Sequence, residues 1–105
     1  MRINRITGKF HSGEVVTKRG AHRRIPQQEI FAALLQHASG DWGYLDEVKW
    51  KVNDAALKYG NRLFSQYLSK RGLMFFIITK PDRTMTTIML AEEYTSDSDG
   101  SPRQV

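Results

Sequence analysis

The sequence predicts an α+β domain in which two helices pack on one face of a small antiparallel sheet. Three observations carry that expectation. Apolar residues recur at helical spacing between residues 27 and 59, the period changes to two after Asn61, and residues 73–79 form a nearly continuous apolar run, rich in Phe and Ile and too short for a helix. A chain of 105 residues, 40% hydrophobic and 26% charged, has room for one core and not for two, so residues 1–94 are read as a single domain.

Residues 1–24 form a basic strand-or-loop segment punctuated by Gly8, Gly13 and Gly20. Within it, Gly13-Glu14-Val15-Val16-Thr17 has the β-branched content of a candidate extra strand at an edge of the sheet. Residues 21–25 are expected to make a helical turn that Pro26 interrupts, because the residue before proline is pushed out of the α region. Pro26 then suits the first turn of a helix whose apolar face is Ile30, Phe31, Leu34, Leu35 and Ala38, with Gly40 as the stop. Asp46 is placed to cap a second helix, and Glu47 adds negative charge at the positive end of its dipole. Its expected buried stripe is Val48, Val52, Ala55, Ala56 and Tyr59, with Trp50 and Leu57 on a neighbouring stripe and Gly60 at the end.

From Asn61 onward, Leu63, Ser65 and Tyr67 alternate with Phe64, Gln66 and Leu68, the pattern of a strand ending in a Ser69-Lys70-Arg71-Gly72 turn. Residues 73–79 read as a central strand buried on both faces. Lys80-Pro81-Asp82-Arg83 is a turn, and residues 84–90 complete a three-stranded C-terminal meander. Residues 95–105 contain one apolar side chain and cannot repay their ordering entropy, which predicts a disordered tail.

The formal net charge of +5 is concentrated at one end: residues 1–24 carry seven basic side chains against one acid, and the remainder carries nine against ten. Such a patch steers anionic partners. Nucleic acid is therefore a candidate partner, through Arg2, Arg5, Lys18, Arg19, Arg23 and Arg24, interleaved with Phe10, His11 and His22. Against it, no helix carries a basic recognition face, and Phe75 and Phe76 sit inside an apolar run, unlike an exposed stacking platform. The absence of cysteine excludes disulfides, a thiol nucleophile and thiolate metal sites. His11, His22 and His37 have no i,i+4 partner, so no metal and no cofactor are expected. With no apolar stretch behind the basic N-terminus and no run long enough to span a bilayer, the expected setting is cytoplasmic, away from membranes.

Catalytic constellations are thin. Ser65, His37 and Asp41 can be assembled on paper, but there is no nucleophile elbow and no phosphate-binding glycine loop. The carboxylate neighbours Asp46/Glu47 and Glu92/Glu93 point apart. Two segments look like binding surfaces. In Asp41-Trp42-Gly43-Tyr44, two aromatics share an interhelix loop and could form an interface hot spot; the alternative is that Trp42 plugs the gap between helices and sheet while Asp41 caps a helix. Asp82 and Arg83 sit at a hairpin tip, with Thr86 and Thr87 on the return strand, either as a polar contact patch or as an Asx-type turn with a cross-strand salt bridge. The candidate binding residues are thus Asp41, Trp42, Tyr44, Asp82 and Arg83.

Two ordered strings go beyond generic pattern. The first is Gly40-Asp41-Trp42-Gly43, followed by Asn53-Asp54-Ala55-Ala56-Leu57-Lys58-Tyr59-Gly60, Arg62-Leu63-Phe64-Ser65 and Tyr67; the second is Ile77-Ile78-Thr79-Lys80-Pro81-Asp82-Arg83, Thr86-Thr87-Ile88 and Glu92-Glu93-Tyr94. Together they resemble a family of small prokaryotic proteins labelled plasmid-related or hypothetical. The resemblance implies an α+β domain carried on mobile elements and chromosomes, in a setting of plasmid maintenance, transfer or defence and counter-defence, and points to no particular biochemical activity or mechanism. The expected function is a small non-catalytic binding protein acting through protein–protein contacts, with nucleic-acid binding and an enzyme of unrecognised site as alternatives. Exposed sheet edges add the expectation of a homodimer formed by strand pairing.

Overall fold

The computed structural model describes residues 8–94 and the backbone of Arg2 and Ile3; the tail expected at 95–105 lies outside the described residues. The elements in chain order are β1 (Arg2–Ile3), β2 (Glu14–Thr17), α1 (Arg19–Arg24), α2 (Gln27–Ala38), α3 (Glu47–Tyr59), β3 (Leu63–Leu68), β4 (Met74–Thr79), β5 (Met85–Leu90) and a 3₁₀ turn at Ala91–Glu93. The fold is α+β, as expected, and the C-terminal meander forms with β4 between β3 and β5.

The sheet order is β1-β2-β5-β4-β3, and β2 lies parallel to β5. The sheet is therefore mixed, not purely antiparallel, and β2 is an inner strand with β1 outside it. Strand direction is set at the far end of β2, where Lys18 N–H donates to the Ile88 carbonyl at 2.8 Å and the chain turns directly into α1. Helix α1 is a third helix where only a turn was expected. Its free N-terminal N–H groups are satisfied from the other end of the domain: Glu93 accepts from Gly20 N at 2.7 Å and Ala21 N at 3.1 Å, and also from Leu90 N at 2.9 Å.

Helix α2 buries Ile30, Ala33 and Leu34 in one cluster with Val15, Tyr67, Phe75, Ile77, Ile88 and Leu90 of the sheet. It ends in a Schellman motif: Gly40 has φ of 84°, Gly40 N donates to His37 O at 3.2 Å and Asp41 N to Gln36 O at 2.8 Å. Helix α3 starts as expected, with the Asp46 carboxylate accepting from Lys49 N at 2.8 Å. Its buried face differs from the one the apolar count predicts. Val48, Val52 and Tyr59 are 72%, 62% and 69% exposed, whereas Asn53 and Ala56 are buried.

The reason is where α3 lies: along the outer edge of β3, not across the sheet. The Asn53 side chain pairs with Phe64 as a neighbouring strand would, its amide donating to the Phe64 carbonyl and its carbonyl accepting from Phe64 N at 2.9 Å. Two residues on, Gln66 N donates to Trp42 O at 3.1 Å and Tyr44 N to Gln66 O at 2.7 Å, so the loop before α3 covers the next stretch of edge. Unpaired strand edges invite association. Here Phe64 and Gln66 are occupied from within the chain, which closes this part of the edge to the strand-paired homodimer.

Replacing Asn53 with Ala should cost about 2–3 kcal/mol, because it leaves both Phe64 backbone groups without their partner. Val48→Ser, on the outward face of the same helix, should stay within about 0.5 kcal/mol. Urea titration of the two variants checks the pair of expectations.

Candidate functional site

The Asp41–Tyr44 loop is built as a corner. The Asp41 carboxylate accepts from Gly43 N at 3.1 Å and Gln36 Nε2 at 2.9 Å, and its carbonyl accepts from the Tyr67 hydroxyl at 2.7 Å. Gly43 has φ of 74°, and a Cβ there would collide with the Gln66 carbonyl and the Tyr67 ring, so only glycine fits. Trp42 is fully buried against Ala56 and Leu63, and its indole N–H donates to Asp54 Oδ1 at 3.0 Å. Burial of a large aromatic is worth about 3–5 kcal/mol, so Trp42 belongs to the core and offers no surface to a partner. Tyr44 alone of the four projects outward, 63% exposed.

Asp82 and Arg83 do not pair with each other. The Asp82 carboxylate accepts from the Thr84 hydroxyl at 2.6 Å and Thr84 N at 3.1 Å, bonds that hold its pKa below the ordinary value. Arg83 has φ of 61° and turns its guanidinium away, onto the carbonyls of Asn61 at 2.7 Å, Ala56 at 3.0 Å and Lys80 at 3.2 Å, with the Phe10 ring 5.7 Å beneath. A cation on the last carbonyls of α3 complements the helix dipole. Arg83 thus fastens the hairpin to α3; the expected cross-strand salt bridge does not form.

Behind the corner lies a buried polar chain. His37 is fully enclosed, with Phe10 and Trp42 edge-on to its ring at 5.4 and 5.5 Å. Its Nδ1 is 2.6 Å from Ser65 Oγ and its Nε2 is 2.8 Å from Thr79 Oγ1. Thr79 Oγ1 is 2.7 Å from Thr86 Oγ1, which donates to the Ser12 carbonyl at 2.7 Å. Since Thr86 spends its proton on Ser12, it accepts from Thr79, and Thr79 accepts from His37 Nε2–H. The imidazole is therefore the Nε2–H tautomer, and Nδ1 accepts from Ser65. Burial first, and then the charge of Arg83, lower the His37 pKa from 6.5 to about 3, so the ring is neutral. A serine within reach of a histidine resembles a nucleophile–base pair, but Thr79 occupies the orienting position, Asp41 lies elsewhere, and both Ser65 and His37 are sealed from solvent.

The open feature lies on the opposite face of the sheet. Phe64 and Phe76, on neighbouring strands, have ring centroids 4.8 Å apart, and Tyr94 meets both edge-on at 5.8 and 5.6 Å. Arg62 lies 5.4 Å over the Phe64 ring and donates to the Tyr94 hydroxyl at 3.2 Å. Leu45 and Val52 form the facing wall, and Lys49, Asn53 and Gln66 complete a groove of about 460 Å³. Among the described residues, the charged groups lining it are Lys49 and Arg62. Val48, one turn from Val52, extends the apolar rim. None of these groove residues was among the candidate binding residues. The alternation around Phe64 could have assigned it to the outward face, but its meeting with Phe76 depends on strand register and that with Val52 on the placement of α3.

The basic segment is only partly free. Arg24 pairs with Glu92 at 2.6 Å. Lys18 is half-buried, Arg19 and Arg23 are exposed, Arg2 is described by its backbone alone, and Arg5 lies outside the described residues. Among the described residues, no group of three His, Cys, Asp or Glu side chains could hold a metal ion, and no helix is long and apolar enough to cross a membrane. No family model, curated protein or solved structure matches the chain.

Two outcomes follow from the geometry. His37 takes up a proton in the unfolded chain below pH 6.5 but in the folded chain only below about 3, so the unfolded state binds the extra proton in that window. The stability conferred by the neutral ring is complete above pH 6.5 and falls toward pH 3, by up to about 1.4 kcal/mol per pH unit. Urea titrations across the window should show His37→Gln flattening that slope relative to the parent. Arg83→Ala should destabilise by about 1–3 kcal/mol through loss of its carbonyl contacts, as read by thermal melting.

Proposed function

We propose that this chain is a cytoplasmic, non-catalytic binding protein that acts through protein–protein contacts, with the groove between α3 and the sheet as its contact surface. The observation that carries the reading is the outward apolar face of α3. Val48 and Val52 stand in solvent beside an aromatic floor, where a folded chain gains nothing from them by itself. Exposed Tyr44 lies on the approach to the same helix, and aromatic anchors of this kind concentrate interface energy. The contact surface of the reading is thus Tyr44 with the groove; Trp42 and Arg83 serve the framework that holds it. A catalytic reading is weaker because the best-placed nucleophile and base, Ser65 and His37, are enclosed and spent on each other. The setting on plasmids or other mobile elements rests on the motif resemblance alone.

A second reading, nucleic-acid binding, is favoured by one observation: Arg19 and Arg23 stand exposed on α1 and, among the described residues, make no ion pair. Both readings are tested by affinity capture from native lysate with and without nuclease. A protein partner that survives nuclease, is lost with Val52→Glu and is retained with Arg19→Glu/Arg23→Glu supports the first. Capture abolished by nuclease and by the double arginine variant, and weakening steeply above about 50 mM salt, supports the second and removes the first.

A further inference from the structure

We infer that the outward face of α2 is a pairing surface for a second copy of this chain, the two α2 helices packing antiparallel about a two-fold axis. The helix buries Ile30, Ala33, Leu34, His37 and Ala38. Phe31 and Leu35, which the apolar spacing assigns to the buried face, are 45% and 47% exposed on the other side. Ala32 stands between them, and Gln27, Gln28 and Gln36 border them, all exposed. Within α2 this face carries no charge. The one acid of the helix, Glu29, is turned to the β3–β4 turn, where its carboxylate accepts from Lys70 N at 2.8 Å, and the helix has neither Lys nor Arg. Such a face offers nothing to phosphates or to an anionic membrane, which select cations. In a chain with 16 basic and 11 acidic side chains, whose net charge of +5 repels its own copies, an uncharged face is where two chains approach at least cost.

The order of the residues selects the occupant. A two-fold axis makes one patch meet itself, so each residue must suit another residue of the same patch. With the axis between Phe31 and Ala32, the Phe31 ring lies against Ala32 of the second copy, a large side chain over a small one, and the reverse pair repeats the contact. One turn further out, Leu35 meets the aliphatic stem of Gln28. At the ends, Gln27 meets Gln36. The Gln36 Nε2 already donates to the Asp41 carboxylate at 2.9 Å, which leaves the Gln36 carbonyl oxygen to accept from the Gln27 amide of the second copy. Antiparallel packing also sets the positive end of each helix dipole beside the negative end of the other. An unrelated partner requires no such match between a face and its own reverse. The homodimer expected from strand pairing thus moves from the β3 edge, where Asn53 and Tyr44 already bond the backbone, to a helix. Its strength follows from its size. The 12 residues of α2 span about 18 Å, which keeps the contact under about 600 Å² per copy, in the transient class. The dimer therefore forms at about 10–100 μM.

Sedimentation velocity on the full chain, between about 5 μM and 1 mM, reads the pairing. The mass should rise from one chain toward two, and association should not weaken between about 50 and 500 mM salt, since no charge takes part. Ala32→Glu, at an exposed position, should hold the mass at one chain while the dilute protein keeps the parent melting temperature. Phe31→Ser should weaken association about 10-fold or more. The arrangement has its own readout because the chain has no cysteine. Oxidised with diamide, Ala32→Cys, beside the axis, should cross-link to its copy, whereas Gln28→Cys, about 10 Å along the helix from its equivalent, should not. Val52→Asp, in the groove on the opposite face of the sheet, should leave the dimer intact, so failure of the pairing and failure of the groove reading are separate results. One chain at every concentration overturns the pairing, as does a dimer that salt or Val52→Asp dissolves and Ala32→Glu does not. Cross-linking through Gln28→Cys overturns the antiparallel arrangement. A different protein captured from lysate and lost with Ala32→Glu, while the mass stays at one chain, gives the face to that partner and overturns the second copy.

Discussion

The side chain of Asn53, bonded to both backbone groups of Phe64, is the contact on which the arrangement of this domain turns. An amide is the one neutral side-chain group that can donate and accept in the spacing a strand edge requires. By meeting Phe64 it fixes α3 alongside β3, which leaves a groove over the half-buried Phe64, Phe76 and Tyr94 and points Val48 and Val52 outward. An apolar residue at position 53 would bury more hydrocarbon but strand two polar backbone groups, a worse exchange where water is excluded. Closure of the edge and opening of the groove are therefore one structural event.

The corner at Trp42 supports the same placement from the other side. The indole fills the space between Ala56 and Leu63, stands edge-on to His37, and ties its N–H to Asp54 of α3. His37 then passes the connection inward through Thr79 and Thr86 to Ser12, linking α2, β4, β5 and the segment before β2 in one directed chain of hydrogen bonds. Arg83 closes the last side, holding the carbonyls at the end of α3 from the β4–β5 hairpin. Every member is satisfied, so the network specifies one geometry at little cost in unpaired groups.

Most of the architecture was legible in the sequence because it is written in local terms. The meander shows in the period-two alternation around Leu63 and Tyr67, and the helix ends show in Gly40, Asp46 and Gly60, each of which acts as its chemistry predicts. What was not legible depends on contacts distant in sequence. The parallel pairing of β2 with β5 has no signature in either strand. The buried face of α3 was misread because a hydrophobic count cannot know that Asn53 is wanted inside and Val52 outside. Likewise Asp41, Asp82 and Arg83 were recognisable as special, but their partners are backbone groups that no spacing reveals. The groove residues come from β3, β4, α3 and its preceding loop, and the segment after β5, each unremarkable alone.

The long reach of Glu93 has a consequence for how the protein is made. Strand β2 pairs with β5, and the first turn of α1 takes its acceptor from a carboxylate 73 residues further along. During vectorial synthesis the opening third of the polypeptide therefore leaves the ribosome without the neighbour it needs, and α2 emerges with an apolar flank but no sheet beneath it. Contacts of such high sequence separation are slow to form because loop closure comes before their reward. Consolidation must wait for the last described turn to clear the exit tunnel, so the domain assembles as one late, cooperative event instead of growing helix by helix behind the emerging chain.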